Sequence, residues 1–315
     1  MYSIGIDLGG TSIKAGIVDE KGNILAKASC PTGVERGQDA VVYDMARLAK
    51  KLIDESPYDI SDFRAIGIGV PGIQDPRTGR VPFSTNLFWH DVPVIDLMHE
   101  IIDLPIYIDN DATVAGVAES VAGVSAGIEN SVFLTLGTGV GAGIIIHGKP
   151  YSGSHGVGSE LGHMIIMCEN GVPCTCGNVG CIDRYCSATA LIRDGREAMA
   201  KNPDCALAKR VNGDPEKVTA KDVIDLAKEG EPVCSQIFDH YIFYLCVVIV
   251  SIINSFDPEV IALGGGVSHA GQFLLDAIAK KLPDMIFYKT MPYARIELAT
   301  LGNDAGIIGA AMLGR

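Results

Sequence analysis

The sequence lacks the features of a secreted, membrane-spanning or nucleic-acid-binding protein. Its first ten residues, MYSIGIDLGG, contain neither the basic region nor the long apolar region of a signal peptide, so we expect a cytoplasmic protein. The longest apolar run, residues 241–256, is shorter than the roughly 18 to 20 residues that a membrane span needs, which favours a buried core helix. No cluster of Lys and Arg offsets the formal net charge of −13, which would repel a phosphate backbone. We therefore expect neither a membrane nor a nucleic acid as a partner.

The composition is that of a packed globular protein. The 315 residues are 48% hydrophobic and 20% charged, with a mean hydropathy of +0.26, and this length is typical of about two domains. The nine cysteines are an odd number, and without a secretion signal they give little support to a disulfide framework.

An internal repeat predicts a duplicated α/β fold. The segment VFLTLGTGVGAGIII at 132–146 repeats the shape of IGIDLGGTSIKAGIV at 4–18, a strand, a glycine turn and a second strand. Without a low-complexity linker to mark it, we place the domain boundary near residue 118. The prediction is a smaller α/β domain over residues 1–118 together with a C-terminal helix at about 301–315, and a larger α/β domain over residues 119–300.

Two glycine loops follow buried strands, the first at residues 7–11 and the second at residues 136–141. Glycine N–H groups can approach an anion closely, as phosphate sites require. The sequence has no GxxxxGK[ST] motif, and the G-x-G-x-x-A match at 137–142 runs into a strand instead of a dinucleotide-binding helix. Each loop alone is equally consistent with a hairpin turn, but the two together favour phosphate.

The first loop also carries a carboxylate, Asp7, at the end of an apolar strand, where an unpaired charge is costly. Mg²⁺ bound to a nucleotide would satisfy it. A third glycine loop, residues 264–266, offers a close-approach surface for the rest of the nucleotide. The predicted nucleotide-binding residues are Asp7, Gly9, Gly10, Thr11, Lys14, Gly137, Thr138, Gly139, Gly264, Gly265 and Gly266.

One imidazole and three thiols are clustered in the second half of the chain. His163, Cys174, Cys176 and Cys181, here called the Cys/His cluster, have the spacing H-x10-C-x-C-x4-C. This donor set would complete a tetrahedral zinc shell, and because it leaves no position for water, the zinc is expected to be structural.

Acidic residues adjoin a predicted strand-to-helix junction and the Cys/His cluster. Asp109, Asn110 and Asp111 follow a buried strand, where α/β folds place ligand-binding groups. A carboxylate there could accept a proton from a substrate hydroxyl or cap the helix, and the residue types alone favour the cap. Glu160 and Asp183 would be drawn to the same place by the zinc.

These motifs together resemble the ROK (repressor, open reading frame, kinase) family, and most closely its bacterial glucokinases. The resemblance covers nearly the whole chain. It includes the two glycine loops, Asn110-Asp111, the Glu-Leu-Gly-His run at 160–163, the Cys-rich run at 174–181, and segments 71–72, 85–89, 186–190, 254–267 and 302–306. The family implies an actin-like, hexokinase-type fold with two domains and a cleft for a sugar and MgATP between them.

The resemblance also implies roles for single residues. Asp111 matches the catalytic base, and this outweighs the capping interpretation. Sugar-binding positions match Gly72, Asn86, Asn110, Asp111, Glu160, His163 and Asp183. The chain departs from the usual pattern at Ser159, where the family has Gly, and at Asp183, where the family has a sugar-contacting Glu.

The implied activity is ATP-dependent phosphorylation of glucose to glucose 6-phosphate by a homodimeric glycolytic enzyme. The shorter Asp183 side chain keeps other hexoses open, namely N-acetylmannosamine, mannose or allose. A non-catalytic sugar sensor is a further alternative. The family's repressors carry a helix-turn-helix before the first strand, and since the first strand here starts by residue 3, we expect none.

Overall fold

The computed structural model describes residues 1–75 and 77–315 as an α/β protein. The strands are β1 (Tyr2–Leu8), β2 (Ser12–Val18), β3 (Ile24–Pro31), β4 (Phe63–Val70), β5 (Ile73–Asp75), β6 (Arg80–Ser84), β7 (Trp89–Val92), β8 (Ile106–Asn110), β9 (Ser131–Leu136), β10 (Val140–Ile146), β11 (Lys149–Pro150), β12 (Val260–Gly264) and β13 (Arg295–Leu298). The α-helices are α1 (Gln38–Asp54), α2 (Val94–His99), α3 (Asp111–Ala122), α4 (Asp183–Cys186), α5 (Ala188–Lys201), α6 (Ala206–Arg210), α7 (Ala220–Lys228), α8 (Pro232–Phe256), α9 (Gln272–Met285) and α10 (Ala305–Ala311).

Two five-stranded sheets have corresponding strand orders. The first is β3-β2-β1-β4-β8, with β1 antiparallel to β2 and parallel to β4, and β4 parallel to β8. The second is β11-β10-β9-β12-β13. In each, a glycine-bearing turn joins the central strand to its neighbour. The described residues also form a small antiparallel sheet, β5-β6-β7.

The first sheet is covered on both faces, so most residues of β1 and β4 are buried. Helix α1 contributes its apolar stripe to the core beside this sheet. The other face receives α10, whose backbone lies so near that a Cβ at Gly5 or Gly67 would collide with the carbonyl oxygens of Ile307 and Ala310. Glycine is therefore required there, where the last helix packs on the first sheet.

Contacts divide the chain into two compact units, each described here by itself. Unit 1 comprises residues 1–133, 143–159 and 300–315, and unit 2 comprises residues 134–142 and 160–299. The boundary that we expected near residue 118 falls inside α3, all of which belongs to unit 1. Because α3 is continuous across residue 118 and lies entirely in unit 1, the division between the units does not fall at that residue.

Helix α8 is the described helix that is long and apolar enough to cross a membrane. Ten of its residues are buried within the protein, among them Leu245, Ile249 and Ile252. A buried core helix of a soluble protein meets the same length and composition criteria, so this helix is weak evidence for a membrane span.

Candidate active site

The N-terminus of α3 presents the predicted catalytic carboxylate. Asn110 caps the helix, because its side-chain oxygen accepts hydrogen bonds from the N–H groups of Ala112 (2.9 Å) and Thr113 (3.4 Å). Asp111 is the first helical residue, is exposed, and accepts a 2.9 Å hydrogen bond from the Ala112 N–H through Oδ1. The structure therefore assigns the cap, which the residue types left open, to Asn110.

Asn110 also joins this helix start to the turn at Gly72. Its Nδ2 donates a 3.1 Å hydrogen bond to the Gly72 carbonyl. Gly72 has a φ of 118°, and a Cβ there would press on the backbone of Phe83 and Ser84. Three predicted sugar-binding residues, Gly72, Asn110 and Asp111, thus lie together, and the turn at Gly72 needs glycine.

Asp109 is a buried acid at the predicted strand-to-helix junction, and the family resemblance assigned it no binding or catalytic role. Its Oδ1 accepts hydrogen bonds from Gln74 Nε2 (2.8 Å) and the Asn110 N–H (2.7 Å). Burial raises the pKa of this carboxyl to about 6, against hydrogen bonds from Asn110, Gln74 and Ser152 that lower it. The sequence signal was a charged residue ending an apolar strand, the same signal that drew attention to Asp7.

The first glycine loop is held by Thr32, the residue directly after β3. Buried Thr32 donates its hydroxyl to the Gly9 carbonyl (2.6 Å) and its N–H to the Thr11 carbonyl (3.0 Å). A Cβ on Gly10 would lie 3.5 Å from the Asn86 carbonyl oxygen, so the predicted sugar residue Asn86 adjoins this loop. The loop and Asn86 therefore occupy one place in unit 1.

Asp7 lies at the end of β1 with its charge only partly compensated. Burial raises the pKa of its carboxyl, whereas Lys14, whose Nζ is 3.8 Å from Asp7 Oδ2, lowers it. A Cβ at Gly306, in the first turn of α10, would lie 2.6 Å from Asp7 Cγ. A carboxylate held this way suits a cation that arrives with a ligand.

Ser159, where the chain departs from the usual family pattern, contacts α3. Ser159 is buried, and its hydroxyl lies 3.2 Å from that of Thr113, two residues beyond Asp111 on α3. A glycine at this position would leave the Thr113 hydroxyl without that contact.

In unit 2, the second and third glycine loops lie side by side. Gly265 has a φ of 80°, and a Cβ there would lie 2.7 Å from backbone atoms of Leu136, the residue that ends β9. The predicted nucleotide-binding glycines at 137, 139 and 264–266 are thus brought together by the backbone itself.

Val140, at the end of the second loop, contacts both segments that carry the predicted sugar residues of unit 2. Its N–H donates a 2.9 Å hydrogen bond to Asp183 Oδ1. Gly162, between Glu160 and His163, lies so close to the Val140 carbonyl that a Cβ could not be accommodated. The 160–163 segment and Asp183 therefore adjoin the same loop residue.

The Cys/His cluster is assembled. The four ligand atoms of His163, Cys174, Cys176 and Cys181 all lie within 4.8 Å of one another. The Cys174 Sγ to His163 Nδ1 distance is 3.7 Å, and the Cys176 Sγ to Cys181 Sγ distance is 3.6 Å. Thiolates about 2.3 Å from a tetrahedral zinc are separated by roughly 3.8 Å, so these donors fit that ion.

Comparisons with known proteins identify the family of this chain. The family model described as "ROK family" matches residues 3–315. The chain is 35% identical to a glucokinase of Halalkalibacterium halodurans (99% of this chain, 94% of the relative) and 36% identical to a glucokinase of Thermotoga maritima (98% and 96%). It is similar to the crystal structure of a ROK family glucokinase from Streptomyces griseus in complex with glucose and AMPPNP, with a TM-score of 0.82, 32% identity and 99% of both chains covered.

Proposed function

This chain belongs to the ROK family, and from that membership we propose how its residues phosphorylate glucose. The family resemblance, the actin-like, hexokinase-type fold and the ATP-dependent hexose kinase activity are confirmed by the match to ROK glucokinases. The observation that carries the residue assignment is the start of α3, where Asn110 caps the helix and contacts Gly72 while Asp111 stands exposed beside it.

Asp111 is the general base of this proposal. The sugar hydroxyl, O6 of glucose, attacks the γ-phosphorus of ATP while its proton passes to the Asp111 carboxylate. The bond between the γ-phosphorus and the β–γ bridging oxygen breaks, and ADP leaves with that oxygen. Asn110 caps the helix through the Ala112 and Thr113 N–H groups, and Asp111 Oδ1 also accepts from the Ala112 N–H. The remaining sugar contacts are assigned to Gly72, Asn86 and Asn110, and to Glu160, His163 and Asp183, as the resemblance implies.

The nucleotide phosphates are assigned to the glycine loops. The N–H groups of Gly10 and Thr11, with Lys14, and those of Thr138 and Gly139 offer donors to the anion, and residues 264–266 take the rest of the nucleotide. Gly9 and Gly137 shape the two loops, because their N–H groups donate to the Ser12 and Gly139 carbonyls. Asp7 is the proposed partner of the Mg²⁺ that arrives with ATP. This assignment is supported by the burial of the Asp7 carboxylate, which Lys14 compensates only in part.

Zinc is the proposed occupant of the Cys/His cluster. Three thiols and one imidazole within 4.8 Å match its donor preference. When bound, it would hold the loop and take no part in the reaction. His163 turns Nδ1 toward the cluster, so that Nε2 is the ring nitrogen that can face a sugar hydroxyl, and the metal would fix this tautomer.

Asp183 favours a second candidate substrate. It is one methylene shorter than the glutamate usual in the family, and one of its oxygens accepts from the Val140 N–H. A weaker contact to glucose would leave N-acetylmannosamine, mannose or allose as the better hexose.

We also propose a cytoplasmic homodimer acting in glycolysis, as the resemblance implies. Size-exclusion chromatography with light scattering tests the oligomeric state, and fractionation of cells tests the location.

A hexose panel tests the function. The purified protein is incubated with MgATP and, in turn, glucose, mannose, allose and N-acetylmannosamine, and ADP formation is measured while ³¹P NMR identifies the phosphorylated position. We expect glucose 6-phosphate. Binding of a hexose without ADP formation in any mixture would instead identify a sugar sensor, and Asp111→Asn supplies the background rate.

A further inference from the structure

Asp183 bears directly on the second glycine loop. Its Oδ1 accepts the Val140 N–H at 2.9 Å, and a Cβ on Gly139 would lie 2.6 Å from the same oxygen. The carboxylate is therefore in contact with two consecutive loop residues. A side chain whose only task was a sugar would not need to lie on this loop.

The neighbouring segment fastens the rest of the loop. The Ala188 N–H donates to the Gly137 carbonyl (2.7 Å), and the Thr189 hydroxyl donates to the Thr138 carbonyl (2.6 Å). Asp183 is the acidic member of this set and accepts where the other two donate. Together the three contacts fix both the carbonyl and the N–H side of the loop.

This fastening determines which loop groups can face a ligand. Gly137 uses its N–H within the loop, on the Gly139 carbonyl (2.9 Å), and Val140 uses its N–H on Asp183. Over residues 1–75 and 77–315, no residue accepts a hydrogen bond from the N–H of Thr138 or Gly139. Those two amides are the ones available for an anion.

We infer that Asp183 is a positioning residue for the ATP phosphates, acting through the second glycine loop; this rests on the proposed kinase function. The shorter side chain gives a reason for the departure from glutamate, because an added methylene would push the carboxylate into Gly139 and Val140. The carboxylate holds the loop so that the Thr138 and Gly139 N–H groups converge on phosphate. Asp183 thus joins the end of the Cys-rich segment to the nucleotide site.

The test separates the KM for ATP from the KM for the hexose. Asp183→Ala should raise the KM for ATP about tenfold and lower kcat, because loss of one charge-assisted hydrogen bond is worth about that factor. Asp183→Asn keeps an acceptor oxygen for the Val140 N–H and should restore most of the ATP affinity. Asp204→Ala, at an exposed aspartate of the same unit, is the matched control.

A double-mutant cycle probes the contact itself. Among the described residues other than the chain neighbours of Gly139, Asp183 is the one within 4 Å of a Cβ built on Gly139, so Gly139→Ala should weaken ATP binding chiefly by displacing that carboxylate. In the Asp183→Ala background the same change should add little, giving a non-additive pair. Additive effects would contradict the inference.

Direct nucleotide binding separates this inference from the proposed function. The dissociation constant of MgAMPPNP, measured by calorimetry, does not depend on turnover, and circular dichroism verifies folding of each variant. Wild type that binds MgAMPPNP but phosphorylates no hexose would contradict the proposed kinase function. The Asp183 and Gly139 variants would still test whether the second glycine loop binds the nucleotide. Asp183→Ala that changes only the KM for hexose, with MgAMPPNP binding intact, would overturn the inference and leave a sugar-contacting residue.

Discussion

Gln74 donates a 2.8 Å hydrogen bond to Asp109, and this buried pair joins β5 to the end of β8 directly before Asp111, the proposed catalytic base. Because the same Asp109 oxygen also receives the Asn110 N–H, it fixes the direction in which the chain enters α3. The pair is 35 residues apart in sequence. The Asp109 carboxylate therefore links β5 to β8 and is also a buried ionisable group.

Asp109 should make stability depend on pH. Its pKa of about 6 in the folded protein exceeds the ordinary 3.8, so the folded state holds the proton more tightly and stability falls as pH rises from about 4 to about 6. Asp109→Asn removes this term, and its advantage over wild type should grow from near zero at pH 4 to about 3 kcal/mol at pH 7. Urea unfolding across this range measures it. A difference that stays constant with pH would contradict the assignment.

Asp111→Asn should retain the fold and hexose binding while losing turnover. An amide accepts no proton, and a general base contributes about 10² to 10⁴-fold. Steady-state kcat with MgATP, together with calorimetry of the hexose, separates the two effects. An unchanged kcat would remove Asp111 from the catalytic role.

The Cys/His cluster should hold one zinc per chain. Cys176→Ser removes a thiolate from the set and should lower metal content, thermal stability and hexose affinity together, because the loop carries His163. Cys168→Ser changes an exposed cysteine outside the cluster and should alter none of them. Elemental analysis of both variants provides the measurement, and a metal-free wild type with full activity would count against the site.

Glu119 should be essential for the stability of unit 1. It is 1% exposed, and its carboxylate accepts from the N–H groups of Val124, Thr300 and Leu301 and from the Thr300 hydroxyl. Glu119→Gln would turn an amide donor toward backbone donors and cost about 2 to 3 kcal/mol. Exposed Glu129→Gln is the control for urea unfolding. Equal stability of the two variants would show that the contacts rearrange without cost.

Much of the fold could be predicted from the sequence because secondary structure depends on local sequence patterns. Strand and helix patterns depend on neighbouring residues, so the repeated strand-turn-strand and the last helix were both predicted. The division into units was less accessible. It depends on contacts between distant segments, and the boundary expected near residue 118 falls within a continuous helix.

The site divides in the same way. The sequence by itself determined the donor set and spacing of the Cys/His cluster, the glycine loops and the family pattern around Asp111, because each lies within a short stretch whose chemistry can be read in order. Only the tertiary structure decided that Asp109 pairs with Gln74, that Glu119 binds Thr300 and that Asp183 holds Val140. A carboxylate's partner is set by which strands and loops the fold brings beside it, and no local pattern carries that information.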